Sequence, residues 1–104
     1  MKKINVANDF SRYPSGRFKR NGDTSGEAFR EKLLLPHLQA GESILVELDG
    51  TIGYGSSFLE EAFGGVARKL NLTPDVILKK IILVSSDNLL IEEIKQYILD
   101  ASKG

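Results

Sequence analysis

The sequence predicts an α/β domain: a small, mainly parallel or mixed four-stranded sheet with three main helices. Three observations lead there. Residues 43–48 and 81–84 are short, nearly continuous apolar runs of strand length. Between and after them, apolar residues recur at helical spacing. Strand-like and helix-like segments alternate, which implies right-handed crossovers and neighbouring strands that run parallel. A length of 104 residues supports one core, so residues 1–104 are read as a single domain.

Taken in order, Ile4-Asn5-Val6-Ala7 alternates and is expected to be an edge strand. Residues 11–24 are rich in turn formers, and Arg17-Phe18-Lys19 among them is the candidate fourth strand. Thr24 followed by Glu27 reads as a capping box, so a helix should start there and turn Ala28, Phe29, Leu33 and Leu34 inward. Pro36 should end or kink it, because proline has no N–H to donate and crowds the preceding turn. Residues 43–48 are apolar except for Ser43 and Glu47, the pattern of an interior strand covered on both faces.

Ser57 and Glu60 form a second capping box. The helix behind it has Leu59, Ala62, Phe63, Val66, Ala67 and Leu70 on one buried stripe. Gly64-Gly65 falls on the opposite side. Two glycines inside a helix cost about 1 kcal/mol each relative to alanine, so they are expected to permit a kink or the close approach of a neighbouring backbone. Thr73-Pro74-Asp75 starts a short helix, residues 81–84 form a buried strand, and Asp87 or a neighbour caps a last helix facing inward through Leu90, Ile91, Ile94, Ile98 and Ala101.

Composition narrows the function. Hydrophobic residues make up 41% and charged residues 27%, as in ordinary globular domains. With no cysteine, disulfides, thiolate catalysis and cysteine-based zinc sites are excluded. No signal-peptide pattern follows Lys2 and Lys3 and no run is long enough to span a bilayer, so a cytoplasmic protein without membrane association is expected. The net charge of zero argues against a nucleic-acid partner. Charge is nevertheless uneven. Residues 1–20 hold six basic groups against Asp9, a net of +5, whereas residues 21–61 hold eight acids against Arg30 and Lys32, a net of −6.

The most informative segment is the turn and helix start at residues 48–61. In a parallel sheet, sites gather at the C-terminal ends of strands, and helix starts carry unpartnered N–H groups at a positive dipole end. Ser57 is expected to cap the helix, whereas Ser56 has no required local role and can face solvent as a phosphoacceptor. Asp49 is expected to make an Asx-turn with Gly50, and Glu61 to point outward. If residues 17–19 were a strand, the helix start at Thr24, Ser25 and Gly26 would share this rim. With Arg17 and Arg20 nearby it would make a candidate anion site. Neither a nucleophile elbow nor a phosphate-cradling loop with its lysine is present, and no carboxylate spacing suggests a metal site. No catalytic residue, cofactor or metal is expected.

The segment 48–70 resembles STAS domains, the anti-sigma factor antagonists, in which an apolar strand leads through Asp-Ser-Ser or Asp-Ser-Gly into an amphipathic helix. Here Gly55-Ser56-Ser57-Phe58-Leu59 occupies that place. A bacterial STAS-like family of unknown function is more similar, at Arg17, at Gly22-x-x-Ser25-Gly26-Glu27-x-Phe29, and at Ser56-Ser57-Phe58-Leu59-x-Glu61-Ala62-Phe63-Gly64-Gly65. The resemblance implies a STAS-like fold and a non-enzymatic regulatory module. Its partner would be a histidine-kinase-like ATPase, and Ser56 or Ser57 would be the phosphoacceptor. Asp49, Tyr54, Gly55, Phe58, Glu61, Gly64 and Gly65 would form the partner surface. Gly55 stands where the antagonists carry aspartate, and Phe58 where they carry glycine. The alternative is a sensor that binds a small anion or nucleotide.

Overall fold

In a computed structural model that describes residues 1–103, three four-residue strands form one parallel sheet in the order β1 (Lys2–Asn5), β2 (Ile44–Glu47), β3 (Ile81–Val84). The register aligns Ile4 with Val46 and Leu83, and Lys3 with Leu45 and Ile82. Five helices accompany it: the single turn α1 (Val6–Asp9), α2 (residues 26–39), α3 (residues 56–70), α4 (Pro74–Lys80) and α5 (Asn88–Lys103).

The sheet has three strands rather than four. The first strand starts earlier than its alternation suggests and ends at Asn5, whose side chain accepts the Asn8 N–H at 3.0 Å and starts α1. Residues 17–19 form no strand. Their segment closes over the start of α2 instead: Gly26 N–H donates to the Gly16 carbonyl, Glu27 N–H to Arg17 and Ser15 N–H to Thr24. A single 3₁₀ turn, Lys19–Asn21, follows Phe18.

Both long helices contain a π turn, which the sequence reading does not include. In α2, Leu35 N–H donates to the Arg30 carbonyl, five residues back. This widened turn lies just ahead of Pro36, and the helix passes through the proline to Gln39 rather than ending there. The missing proline N–H and its crowded carbonyl are absorbed by the shifted ladder. In α3, Gly65 N–H likewise reaches the Glu60 carbonyl.

Caps differ as well. Ser25, fully buried, caps α2 through its Oγ and the Ala28 N–H (3.1 Å), displacing Thr24 from that role; Glu27 instead accepts the Lys19 N–H. The cap of α3 is Gly55, not Ser57, and no side chain takes part. Thr73 and Asp87 cap α4 and α5 as their sequences imply.

The chain steps across the sheet in one direction, so crossovers of one hand place α2 and α3 on one face. Ile4, Ile44, Val46 and Ile81 are buried there, under Leu59, Ala62, Phe63 and Val66 of α3 and Ile94 and Ile98 of α5. Phe29 is the centre of an aromatic group, with ring centroids 5.2 Å from Phe10, 5.8 Å from Phe58 and 6.0 Å from Phe63. The opposite sheet face is open, contrary to the expectation of a β2 covered on both sides: Glu47, Ile82 and Val84 are exposed.

Candidate functional site

Beyond the C-terminal ends of β2 and β3, two loops are fastened to each other. The Asp49 carboxylate accepts the Ser85 hydroxyl at 3.0 Å and the Ser86 N–H at 3.0 Å. It therefore makes a bridge between strands rather than the expected Asx-turn. The Ser86 amide, then the Ser85 hydroxyl, holds its carboxyl below the usual aspartate range. Tyr54 reaches back to donate to the Leu48 carbonyl at 2.6 Å, with its ring 6.0 Å from Phe58. Burial pushes its phenol up to about 12, which removes it from acid–base chemistry near neutral pH. Ile52 N–H donates to Arg12.

Held in this way, the loops enclose an open cleft of about 530 Å³. Leu48, Asp49 and Tyr54 line it on one side and Ser85, Leu90 and Glu93 on the other. Ile52 and Leu89 stand on its lips, 74% and 81% exposed, the two most exposed aliphatic side chains after the β2 strand. The lining is acidic as well as apolar, with Asp49, Asp87 and Glu93.

Ser56 and Ser57 follow on the same loop and are both exposed. Among the described residues, neither hydroxyl has a hydrogen-bond partner, whereas those of Ser25 and Ser85 are engaged. The N–H groups of Ser56, Ser57 and Phe58 also lack a protein acceptor, the first intrahelical bond being Leu59 N–H to Gly55. Gly55 has ordinary backbone angles (φ −76°, ψ 147°) and open space where a side chain would sit. Gly55→Asp should thus supply the absent cap and raise stability by about 0.5 kcal/mol, measured as a higher urea midpoint with unchanged slope.

Several residues expected at a partner surface lie elsewhere. Phe58 is buried in the aromatic group. Gly64 and Gly65 are buried too, Gly64 against α5 and Gly65 against Arg30 of α2. A side chain on Gly64 would meet the Tyr97 carbonyl of α5 at 3.3 Å, and one on Gly65 would meet Arg30 Nη1 at 2.2 Å. The glycines do serve close approach, but within the molecule.

Glu61 points inward rather than outward. Its Oε2 accepts Arg30 Nη1 at 2.7 Å, and the same nitrogen donates to the Glu61 carbonyl at 2.6 Å. Arg30 is 3% exposed and is the one strongly buried charge that sequence reasoning missed. The paired glycines were the available signal, since they mark space cleared for something. Around this pair, Arg17 bonds Glu60 (2.5 Å) and Glu61 (3.2 Å), Arg68 bonds Glu60 (2.5 Å), and Glu31 accepts Arg30 Nε (3.0 Å). Hydrogen bonds from Arg68 and then Arg17 lower the Glu60 carboxyl against the opposing effect of burial, so Glu60 stays ionised and is not part of a capping box.

The expected anion site is accordingly occupied by the protein itself. Arg17 is paired, the Arg20 guanidinium lies 4.9 Å from the centre of the Phe18 ring, Ser25 is a buried cap, and Gly26 N–H is bonded to Gly16. The two helix starts do meet, although the strand at residues 17–19 on which that expectation rested is not formed: an added Cβ at Gly26 would lie 2.4 Å from the Phe58 carbonyl oxygen. Thr24 lies beside them and gives its carbonyl to Ser15. Among the described residues there is no group of three or more residues suited to hold a metal, and no helix is long and apolar enough to cross a membrane.

The segment from Ser25 through β2, the rim, α3, α4 and β3 to Leu89 is the part that a family model matches. That model is described as a STAS-like domain of unknown function, DUF4325, and covers residues 25–89. The chain belongs to this family. No curated protein and no solved structure matches it. The STAS-like match begins at the buried cap of α2 and takes in the Arg30–Glu61 pair, Gly64-Gly65, the serines and both loops of the cleft.

Proposed function

We propose that this STAS-like domain is a non-enzymatic regulatory module that binds a protein partner, a histidine-kinase-like ATPase, through the rim formed by residues 49–57 and 85–93. Phosphorylation of Ser56 is the switch. The observation that carries this reading is the pair of exposed, unengaged serine hydroxyls at the start of a long helix, beside an apolar and acidic cleft whose loops are otherwise fastened. A phosphate there would add close to two negative charges at a positive dipole end, so the helix tolerates it. The partner, however, would meet an anion where it had met a hydroxyl.

Ser56→Ala should leave stability within about 0.5 kcal/mol of the parent, because the side chain is exposed and makes no hydrogen bond, and should abolish regulation. Phosphopeptide mass spectrometry on protein isolated from its own host checks the switch. Phosphate on Ser56 is the expected result. A fully covered, unmodified peptide across growth conditions would remove the switch. That outcome would leave constitutive partner binding or the sensor reading, in which a small anion or nucleotide uses the free N–H groups of Ser56, Ser57 and Phe58.

A further inference from the structure

Parallel sheets are normally covered on both faces, since neither face of an apolar strand gains from contact with water. Here α2, α3 and α5 all cover one face. The other presents two rows, Lys3–Leu45–Ile82 and Asn5–Glu47–Val84. Ile82 and Val84 are 38% and 43% exposed, and Leu45, Ile82 and Val84 belong to no part of the core.

We propose that a second copy of the chain covers this face, sheet against sheet, in a two-fold dimer. A symmetric contact requires a patch complementary to itself. This one is: three apolar side chains are bordered by one cation, Lys3, and one anion, Glu47, one strand and one row apart. A two-fold axis lying across the strands between the two rows places Ile82 over Val84 of the second copy. The same axis brings Lys3 of each copy beside Glu47 of the other. The contact pairs every charge in the patch and buries its apolar trio. It uses neither the cleft nor Ser56, so it is independent of the proposed switch. Three strands of four residues make a small face, which places the association in the weak, concentration-dependent class.

Sedimentation equilibrium on the whole chain, from about 5 µM to about 1 mM, tests this. The parent should move from monomer to dimer over that range. Val84→Glu should stay monomeric throughout, with an unchanged circular dichroism spectrum. Lys3→Glu, an exposed change that leaves the core intact, should weaken the dimer about tenfold, and Lys3→Glu combined with Glu47→Lys should restore it. A parent that is monomeric at every concentration overturns the proposal. So does a dimer unaffected by Lys3→Glu, which would indicate pairing through the free edge of β3, and so does association beyond the dimer.

Discussion

Replacing Arg30 by methionine should lower the unfolding free energy by about 3–5 kcal/mol, the range found when one partner of a buried ion pair is removed. Methionine fills the space of the arginine stem but leaves three acceptors behind, two of them on Glu61. The Glu61 carboxylate is 12% exposed, and its Oε2 takes its hydrogen bond from Arg30. The neighbouring cations reach only the other oxygen, Arg17 at 3.2 Å and Arg68 at 3.6 Å. The Glu61 carbonyl loses its 2.6 Å bond to the guanidinium at the same time, within the π turn of α3. Adding Glu61→Leu to Arg30→Met should recover a large part of the loss, because the carboxylate oxygen left without its hydrogen bond is then gone. Urea unfolding of the parent, the single and the double variant measures this. A single-variant loss below about 1 kcal/mol, or no recovery in the double variant, would show that the pair does not hold α2 to α3.

Gly26→Ala should destabilise by about 3 kcal/mol, opposite in sign to the gain of about 1 kcal/mol that helix propensity alone would give. The added methyl would lie 2.4 Å from the Phe58 carbonyl oxygen and 3.1 Å from both the Ala62 nitrogen and Glu61 Cβ. Two of those atoms are backbone and cannot rotate aside, so α2 must move away from α3. That movement would also disturb the buried Ser25 cap and the aromatic packing of Phe29 on Phe58. Thermal unfolding should show a clear drop in Tm. An unchanged or raised Tm would mean that the two helix starts are not in backbone contact.

Both predictions concern contacts between segments more than 30 residues apart, and such contacts are where sequence reasoning failed. A straight helix of 3.6 residues per turn puts Glu61 opposite the Leu59–Leu70 stripe and hence outward. That stripe is buried as expected, but α2 also packs against α3 and brings Arg30 onto Glu61, a contact nothing local announces. Thr24 and Ser57 each sit three residues before a glutamate, which fits the capping-box motif. Ser25 and Gly55 hold those positions because the loop 15–17 and the Tyr54 anchor set where each helix begins. Half of the cleft was visible at residues 48–57. The other half, Ser85 to Glu93, joins it through the bridge from Asp49 to Ser85, 36 residues further on.

The sequence by itself determined the α/β class, two of the strands, the buried stripe of α3, the caps Thr73 and Asp87, and a rim at the ends of the strands. These follow from periodicity and from short-range hydrogen bonding, which depend on neighbours a few residues away. Only the tertiary structure decided which polar groups meet. Arg30 is buried because Gly65 vacates its space and Glu61 neutralises it. Arg17 joins an ion-pair network with Glu60 and Glu61. The sheet keeps one open face because its crossovers all step the same way. A buried charge is tolerable only with a partner, and which residue that partner is depends on how distant segments pack.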